Sequence, residues 1–201
     1  MTSSPSSPKR IGLLGGSFNP IHNAHLAAAD QAVAEYGLEL VIFMPCGVPP
    51  HKSLTGLAPG EDRYLMTVAA VASEPKYIVS RYELDKAEPS FTVDTMRFMK
   101  TEYPEAELFL IVGEDSVRDF SAWRDPEQLF KLGTVLSAPR VGLPDHGGDI
   151  FGKLVRRLNM PVYEISATDI RNRIRDGLPV DRMLPTGVLE YIRKQGLYKQ
   201  G

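Results

Sequence analysis

The sequence predicts an α/β fold, a parallel sheet doubly wound with helices on both faces, on three observations. Short apolar runs rich in β-branched and aromatic residues recur along its 201 residues. Between them lie stretches with helical spacing, so strands and helices alternate, as right-handed crossovers in a parallel sheet require. Small-residue segments directly follow three of the runs, at Gly15, Gly113 and Ser166. Open sheets of this kind bind ligands at the carboxyl ends of their strands, near a switch in strand order, so the three segments are expected to share one crevice.

The elements follow in order. MTSSPSSPK is polar and lacks the apolar core of a signal peptide, so 1–9 reads as a disordered leader before a single domain, 10–201. Ile11, Leu13 and Leu14 begin the first strand, Gly15-Gly16-Ser17 forms an elbow and Asn19-Pro20 a turn. From about His22 the pattern is helical, with Leu26, Ala29, Val33 and Tyr36 at helical spacing and Gly37 as the stop. Leu40–Met44 is a second buried strand closed by Pro45. Cys46–Gly60, with three glycines and three prolines, is a loop long enough to be functional, and it carries Pro49-Pro50-His51-Lys52.

Glu61–Ser73 reads as a helix with acids in its first turn, Tyr77–Leu84 as a strand, and Pro89-Ser90-Phe91-Thr92 as a turn into helix Val93–Glu102. Leu108–Val112 is a buried strand running into Gly113-Glu114-Asp115-Ser116. Helical segments around Val117–Phe120 and Pro126–Leu132 precede a strand at Thr134–Leu136. After a loop at Pro139–Gly148, Ile150–Leu158 reads as an amphipathic helix and Val162–Ile165 as the last strand. A small helical element runs from about 166 to 201.

Composition narrows the function. A chain that is 43% hydrophobic and 24% charged with a net charge of −2 is an ordinary globular protein and gives no support for non-specific nucleic-acid binding. No apolar run approaches the roughly 20 residues of a membrane span. Cys46, alone, excludes an internal disulfide and suits a reducing compartment, so a cytoplasmic location is expected, with no nucleic-acid or membrane partner.

A buried strand feeding a glycine loop and a helix N-terminus is a common anion site, because the glycines let backbone approach a ligand and the free N–H groups point at it. Gly12-x-x-Gly15-Gly16 matches neither the dinucleotide fingerprint nor the phosphate loop of NTPases. His22 and His25 lack the spacing and carboxylate of a zinc helix, so no metal site is expected there. With His51 they place three of the four histidines in the loops after the first two strands, which favours a polyanion. Ser166-Ala-Thr-Asp169 is a capping-box variant with reciprocal bonds. Capping leaves Arg171 unexplained, and a guanidinium beside a helix N-terminus suits phosphate oxygens. Asp115 fits either a ribose contact or helix capping, and Trp123 either core packing or a platform for a planar heterocycle.

GGSFNPIHNAH resembles the GG(S/T)F(D/N)PxHxGH signature of the nucleotidyltransferase superfamily, and ISATDIR its second signature, ISxTxxR. PPHK, the PSFT turn and VGEDS followed by a tryptophan stand between them in order. Together they resemble bacterial nicotinate-nucleotide adenylyltransferases, from about Arg10 to the closing LEYIRKQGLY. The resemblance implies a Rossmann-like fold and transfer of AMP from ATP to the 5′-phosphate of nicotinate mononucleotide. The products are deamido-NAD and pyrophosphate, with Mg²⁺ carried by ATP. It implies that His22, His25, Lys52 and Arg171 are the catalytic residues. Gly15, Gly16, Ser17, Phe18, Gly113, Asp115, Ser166, Thr168 and Ile170 would join His22, His25 and Arg171 around ATP. Ser17, Lys52, Thr92, Trp123 and Arg124 would receive the mononucleotide. Two positions depart from the pattern: Ala24 replaces a glycine, and Phe91 a tyrosine. The competing readings are another acceptor on the same fold (nicotinamide mononucleotide or phosphopantetheine) and a nucleotide-binding module without turnover. The oligomeric state stays open, a homodimer included.

Overall fold

Six parallel strands run in the order β3-β2-β1-β4-β5-β6 in the computed structural model, which describes residues 7–47, 56–142 and 150–199. The strands are β1 (Arg10–Gly16), β2 (Leu40–Pro45), β3 (Tyr77–Val79), β4 (Glu107–Gly113), β5 (Thr134–Ala138) and β6 (Arg156–Arg157). The α-helices among the described residues are α1 (Asn23–Tyr36), α2 (Gly60–Val71), α3 (Thr92–Glu102), α4 (Glu114–Arg118), α5 (Pro126–Leu132), α6 (Ala167–Arg175) and α7 (Thr186–Gln195).

The sheet is buried on both faces, and its alternation separates two cores. Leu14, Val41, Phe43, Phe109 and Ile111 point to one face, against Ala29 and Ala32 of α1, Met66 of α2, Ile170 of α6 and Val188 of α7. Ile11, Leu13, Ile42, Met44, Leu108 and Leu110 point to the other, against Met96 of α3, Val117 of α4 and Leu129 of α5. Near-continuous apolar strands are what two-sided burial demands. The expected doubly wound architecture and C-terminal helical element are present. Gly37 ends α1 in the left-handed conformation, at φ 60°, where a side chain would be strained.

Three elements differ from expectation. The third strand stops at Val79, because β3 is the sheet edge and the chain turns away, with Asp85 N–H donating to Arg81 O at 2.9 Å. Ile150–Leu158 is not a helix. Gly152–Leu154 is a single 3₁₀ turn, and Arg156–Arg157 pair with Leu136 and Ser137 as β6. Val155 and Leu158 are both buried, and their three-residue spacing imitates a helix face. Val162–Ile165 forms no strand; Tyr163 and Ile165 instead line the cleft described next.

Candidate active site

The strand order reverses between β1 and β4, and the carboxyl ends of β1, β4 and β5 open into one cleft of about 450 Å³. Gly15, Gly16, Gly113, Ala138 and Arg140 line its floor and side. His22, Ala24 and His25 from the start of α1, and Ser166, Ala167 and Thr168 from the start of α6, also face it. Two helix N-termini therefore open into one cavity. Both bring the positive ends of their dipoles, which favour an anion.

The glycines have separate reasons. A Cβ on Gly15 would meet no protein atom nearer than 4.0 Å, so its missing side chain leaves space for a ligand. At Gly113 a Cβ would lie 2.4 Å from Asp115 Oδ1, so only glycine lets that carboxylate fold over the strand end. Asp115 does not cap α4. Its carboxylate pairs with Arg140 Nη1 at 3.0 Å, a residue that sequence reading passed over although it lies just beyond β5.

His22 is buried at the N-cap of α1, its ring stacked on His25 with centroids 3.8 Å apart. The pair approximates a capping box. His22 N–H donates to His25 Nδ1 at 3.2 Å, while His22 Nδ1 is buried without a partner of hydrogen-bond geometry. Burial, reinforced by the Arg140 charge, pushes the His22 pKa down from its ordinary 6.5 to about 4. The ring is therefore neutral at pH 7 until an anion arrives. The same shift makes stability depend on pH. Above 6.5 both folded and unfolded chains carry a neutral His22. Below it the unfolded chain takes up a proton that the folded chain refuses, so stability falls as pH drops toward 4. The total loss is about 3 kcal/mol, at about 1.4 kcal/mol per pH unit. Urea unfolding at pH 7.5 and 4.5 checks this: His22→Asn is expected to lose less stability over that interval than the parent. Equal losses would refute the assignment.

Arg171, one turn into α6, is held at the cleft by two bonds. Nη1 donates to Asn19 O at 2.8 Å and Nη2 to Thr168 Oγ1 at 3.3 Å. Ser166 Oγ accepts the Asp169 N–H at 3.1 Å, so it caps α6 as expected. The reciprocal half is missing, because the Asp169 carboxylate pairs with Arg173 Nε at 2.9 Å instead. Ser17 and Phe18 also line the cleft; the Phe18 ring is buried, edge-on to His25. Ile170 is wholly buried in the core, its N–H donates to Ser166 O at 3.0 Å, and it does not line the cleft. Ala24 sits within the first turn of α1, where alanine suits the backbone, and its methyl faces the cavity.

Thr92, Trp123 and Arg124 do not line this cleft. The structure does bring their segments together. Arg124 stacks on Phe91 at 4.8 Å and reaches Asp94 Oδ2 at 3.4 Å, both beside Thr92 at the start of α3. Trp123 is half-buried, edge-on to Phe120 at 4.7 Å. His51 and Lys52 lie outside the described residues. Sequence reading missed Arg140, Met160 and Tyr163 in the lining, and also Arg63 of α2. Arg63 is buried, with Nη1 donating to Ser17 O at 2.9 Å and Cys46 O at 2.8 Å, and Nε to Ala58 O at 3.1 Å.

Comparison with known proteins agrees with this geometry. The cytidylyltransferase-like family model matches residues 13–173. A protein of Saccharopolyspora erythraea named "Probable nicotinate-nucleotide adenylyltransferase" is 43% identical over 95% of this chain and 90% of its own. One of the same name from Corynebacterium glutamicum is 38% identical over 99% and 93%. The structure of Plasmodium falciparum nicotinic acid mononucleotide adenylyltransferase complexed with NaAD superposes with a TM-score of 0.77 at 21% identity, covering 94% of this chain and 97% of that one. At that identity the superposition speaks for the fold alone. With the family model spanning most of the chain and relatives near 40% identity spanning nearly all of it, the chain belongs to the nicotinate-nucleotide adenylyltransferases, within the cytidylyltransferase-like family.

Proposed function

We propose that this enzyme transfers AMP from ATP to the 5′-phosphate of nicotinate mononucleotide, giving deamido-NAD and pyrophosphate, a step of NAD biosynthesis. One observation carries the reading: the N-termini of α1 and α6, with His22, His25 and Arg171, converge on one cleft at the switch point of the sheet. That arrangement suits a triphosphate. The mononucleotide phosphate is already ionised at pH 7, so it attacks the α-phosphate directly, needs no general base and forms no covalent enzyme intermediate. What remains for the protein is in-line positioning and neutralisation of charge on the α-phosphate and departing pyrophosphate. His22 and His25 would donate ring N–H bonds to phosphate oxygens, and Arg171 would add a planar fork.

The remaining assignments are of the same standing. Lys52 would assist at the phosphates, and Gly113, Asp115, Ser166 and Thr168 would contact the adenosine side. The residue 10–201 stretch would act as one domain. No group of three or more His, Cys, Asp or Glu among the described residues could hold a metal ion. Among the described residues that line the cleft the one carboxylate, Asp115, is paired with Arg140. Mg²⁺ therefore belongs to this reading as part of the ATP substrate, held by the triphosphate. Among the described residues no helix is long and apolar enough to cross a membrane.

The test is pyrophosphate release from Mg–ATP with a panel of acceptors: nicotinate mononucleotide, nicotinamide mononucleotide and phosphopantetheine. Release with the first, at a kcat/KM well above the others, is expected. ATP binding without release for any acceptor would point to a module without turnover. Comparable kcat/KM for acid and amide would overturn acid selectivity. Trp123→Ala is expected to raise KM for the mononucleotide about tenfold or more, the scale of losing one stacked base, with ATP binding unchanged. Unfolding of that variant would assign Trp123 to the core instead.

A further inference from the structure

Asn19, on the loop between β1 and α1, collects four hydrogen bonds from distant parts of the chain. Its Nδ2 donates to Gly56 O at 2.9 Å, and its Oδ1 accepts the Ala58 N–H at 3.0 Å. Gly56 and Ala58 are where the long loop after β2 rejoins the described chain. Its backbone carbonyl takes Arg171 Nη1 at 2.8 Å. The fourth bond comes from near the end of the chain, where Tyr198 OH donates to Oδ1 at 2.8 Å. The side chain amide is thereby fixed in orientation: its nitrogen can face only Gly56 O, and its oxygen is saturated by two donors.

Tyr198 is held there by backbone as well as packing. Gly196 ends α7 in the left-handed region at φ 65°, and Tyr198 adopts φ 64°, a conformation that residues with a Cβ avoid. The Tyr198 ring packs on the core that holds α1, α2 and α6. Burial raises the phenol pKa despite the nearby Arg171 and Arg63 charges, so the hydroxyl stays a donor at neutral pH. A non-glycine residue in this conformation, bonded to a residue of the cleft lining, is a constraint to be explained.

We propose that Tyr198 is a positioning residue for the phosphate cleft: through Asn19 its hydroxyl sets both the Arg171 guanidinium and the Gly56–Ala58 end of the loop that carries Lys52. The inference rests on the reading of the cleft as an ATP site. Tyr198 itself is absent from the cleft lining, which Asn19 joins, so it acts through Asn19.

Tyr198→Phe keeps the ring and removes only the hydroxyl. Titration calorimetry with Mg–ATP on the full chain is expected to show Kd rising about tenfold, the scale of one well-placed hydrogen bond. The melting temperature should stay within about 3 °C, as for loss of a single bond in a protein of this size. In an Arg171→Ala background the same substitution should change Kd by less than it does in the parent, because groups that act through one another are not additive and only the route through the Gly56–Ala58 loop end remains. A merely structural tyrosine would lower the melting temperature and leave both ATP affinities unchanged, and that result overturns the proposal. Equal effects in both backgrounds overturn the route through Arg171. A parent protein that binds ATP but releases no pyrophosphate defeats the proposed reaction and leaves this measurement intact; one that binds no ATP overturns both.

Discussion

Arg171→Ala is expected to lower kcat for pyrophosphate release by about 10²–10³-fold, as removal of a transition-state donor does. The guanidinium is half-exposed and spends two of its donors on Asn19 O and Thr168 Oγ1. Those bonds hold the side chain in the lining of the cleft. On the proposed reading, the charge that grows on the departing pyrophosphate would meet a donor already in place, which would cost no reorganisation. Stability should change little, because no charge is left buried when the side chain goes. Arg171→Lys keeps the charge and loses the fork, so it should recover only part of the rate. Steady-state kinetics with matched thermal melts check both. Turnover within threefold of the parent in Arg171→Ala would remove the residue from the site.

Arg63→Met carries the largest expected cost in stability, about 3–5 kcal/mol, at about 1–3 kcal/mol for each buried acceptor left unmade. Arg63 is 2% exposed, and its hydrogen bonds among the described residues go to Ala58 O, Ser17 O, Cys46 O and the Cys46 sulfur, none to a carboxylate. The guanidinium thus replaces secondary structure where β1, β2 and the long loop end side by side. Without it, three carbonyls lose their donor in a space methionine can fill but not satisfy. Urea unfolding gives the difference directly, and a loss under 1 kcal/mol would refute the account. Arg63→Lys, which can reach one or two of the carbonyls, should fall between.

How much of this was legible depended on distance along the chain. The Gly15–His25 and Ser166–Arg171 segments could be read because strand, turn, cap and helix start lie within a few residues, and each leaves a local mark. Their convergence followed from the alternation of elements and the rule for parallel sheets. Arg63 was hidden because a charged residue in an amphipathic helix reads as solvent-facing, and only the carbonyls of Ser17 and Cys46 make its burial possible. Arg140 carried a usable signal in its place just past β5. The Arg156–Arg157 strand had none, since both residues are exposed and join the sheet through backbone pairing with Leu136 and Ser137. The apolar Val162–Ile165 run misled for the opposite reason: two of its side chains serve a cavity wall and none a sheet.

The bonds on Asn19 also order events in time. Arg171 and Tyr198 stand 152 and 179 positions downstream of it, and β1 must wait for β4, nearly a hundred residues later, before it has neighbours on both sides. During synthesis the glycine loop emerges early, yet two of the groups bonded to Asn19 at its cleft are translated more than a hundred residues later. Contacts of such sequence separation form slowly and late, so a nascent chain holds its strands well before it holds a triphosphate site.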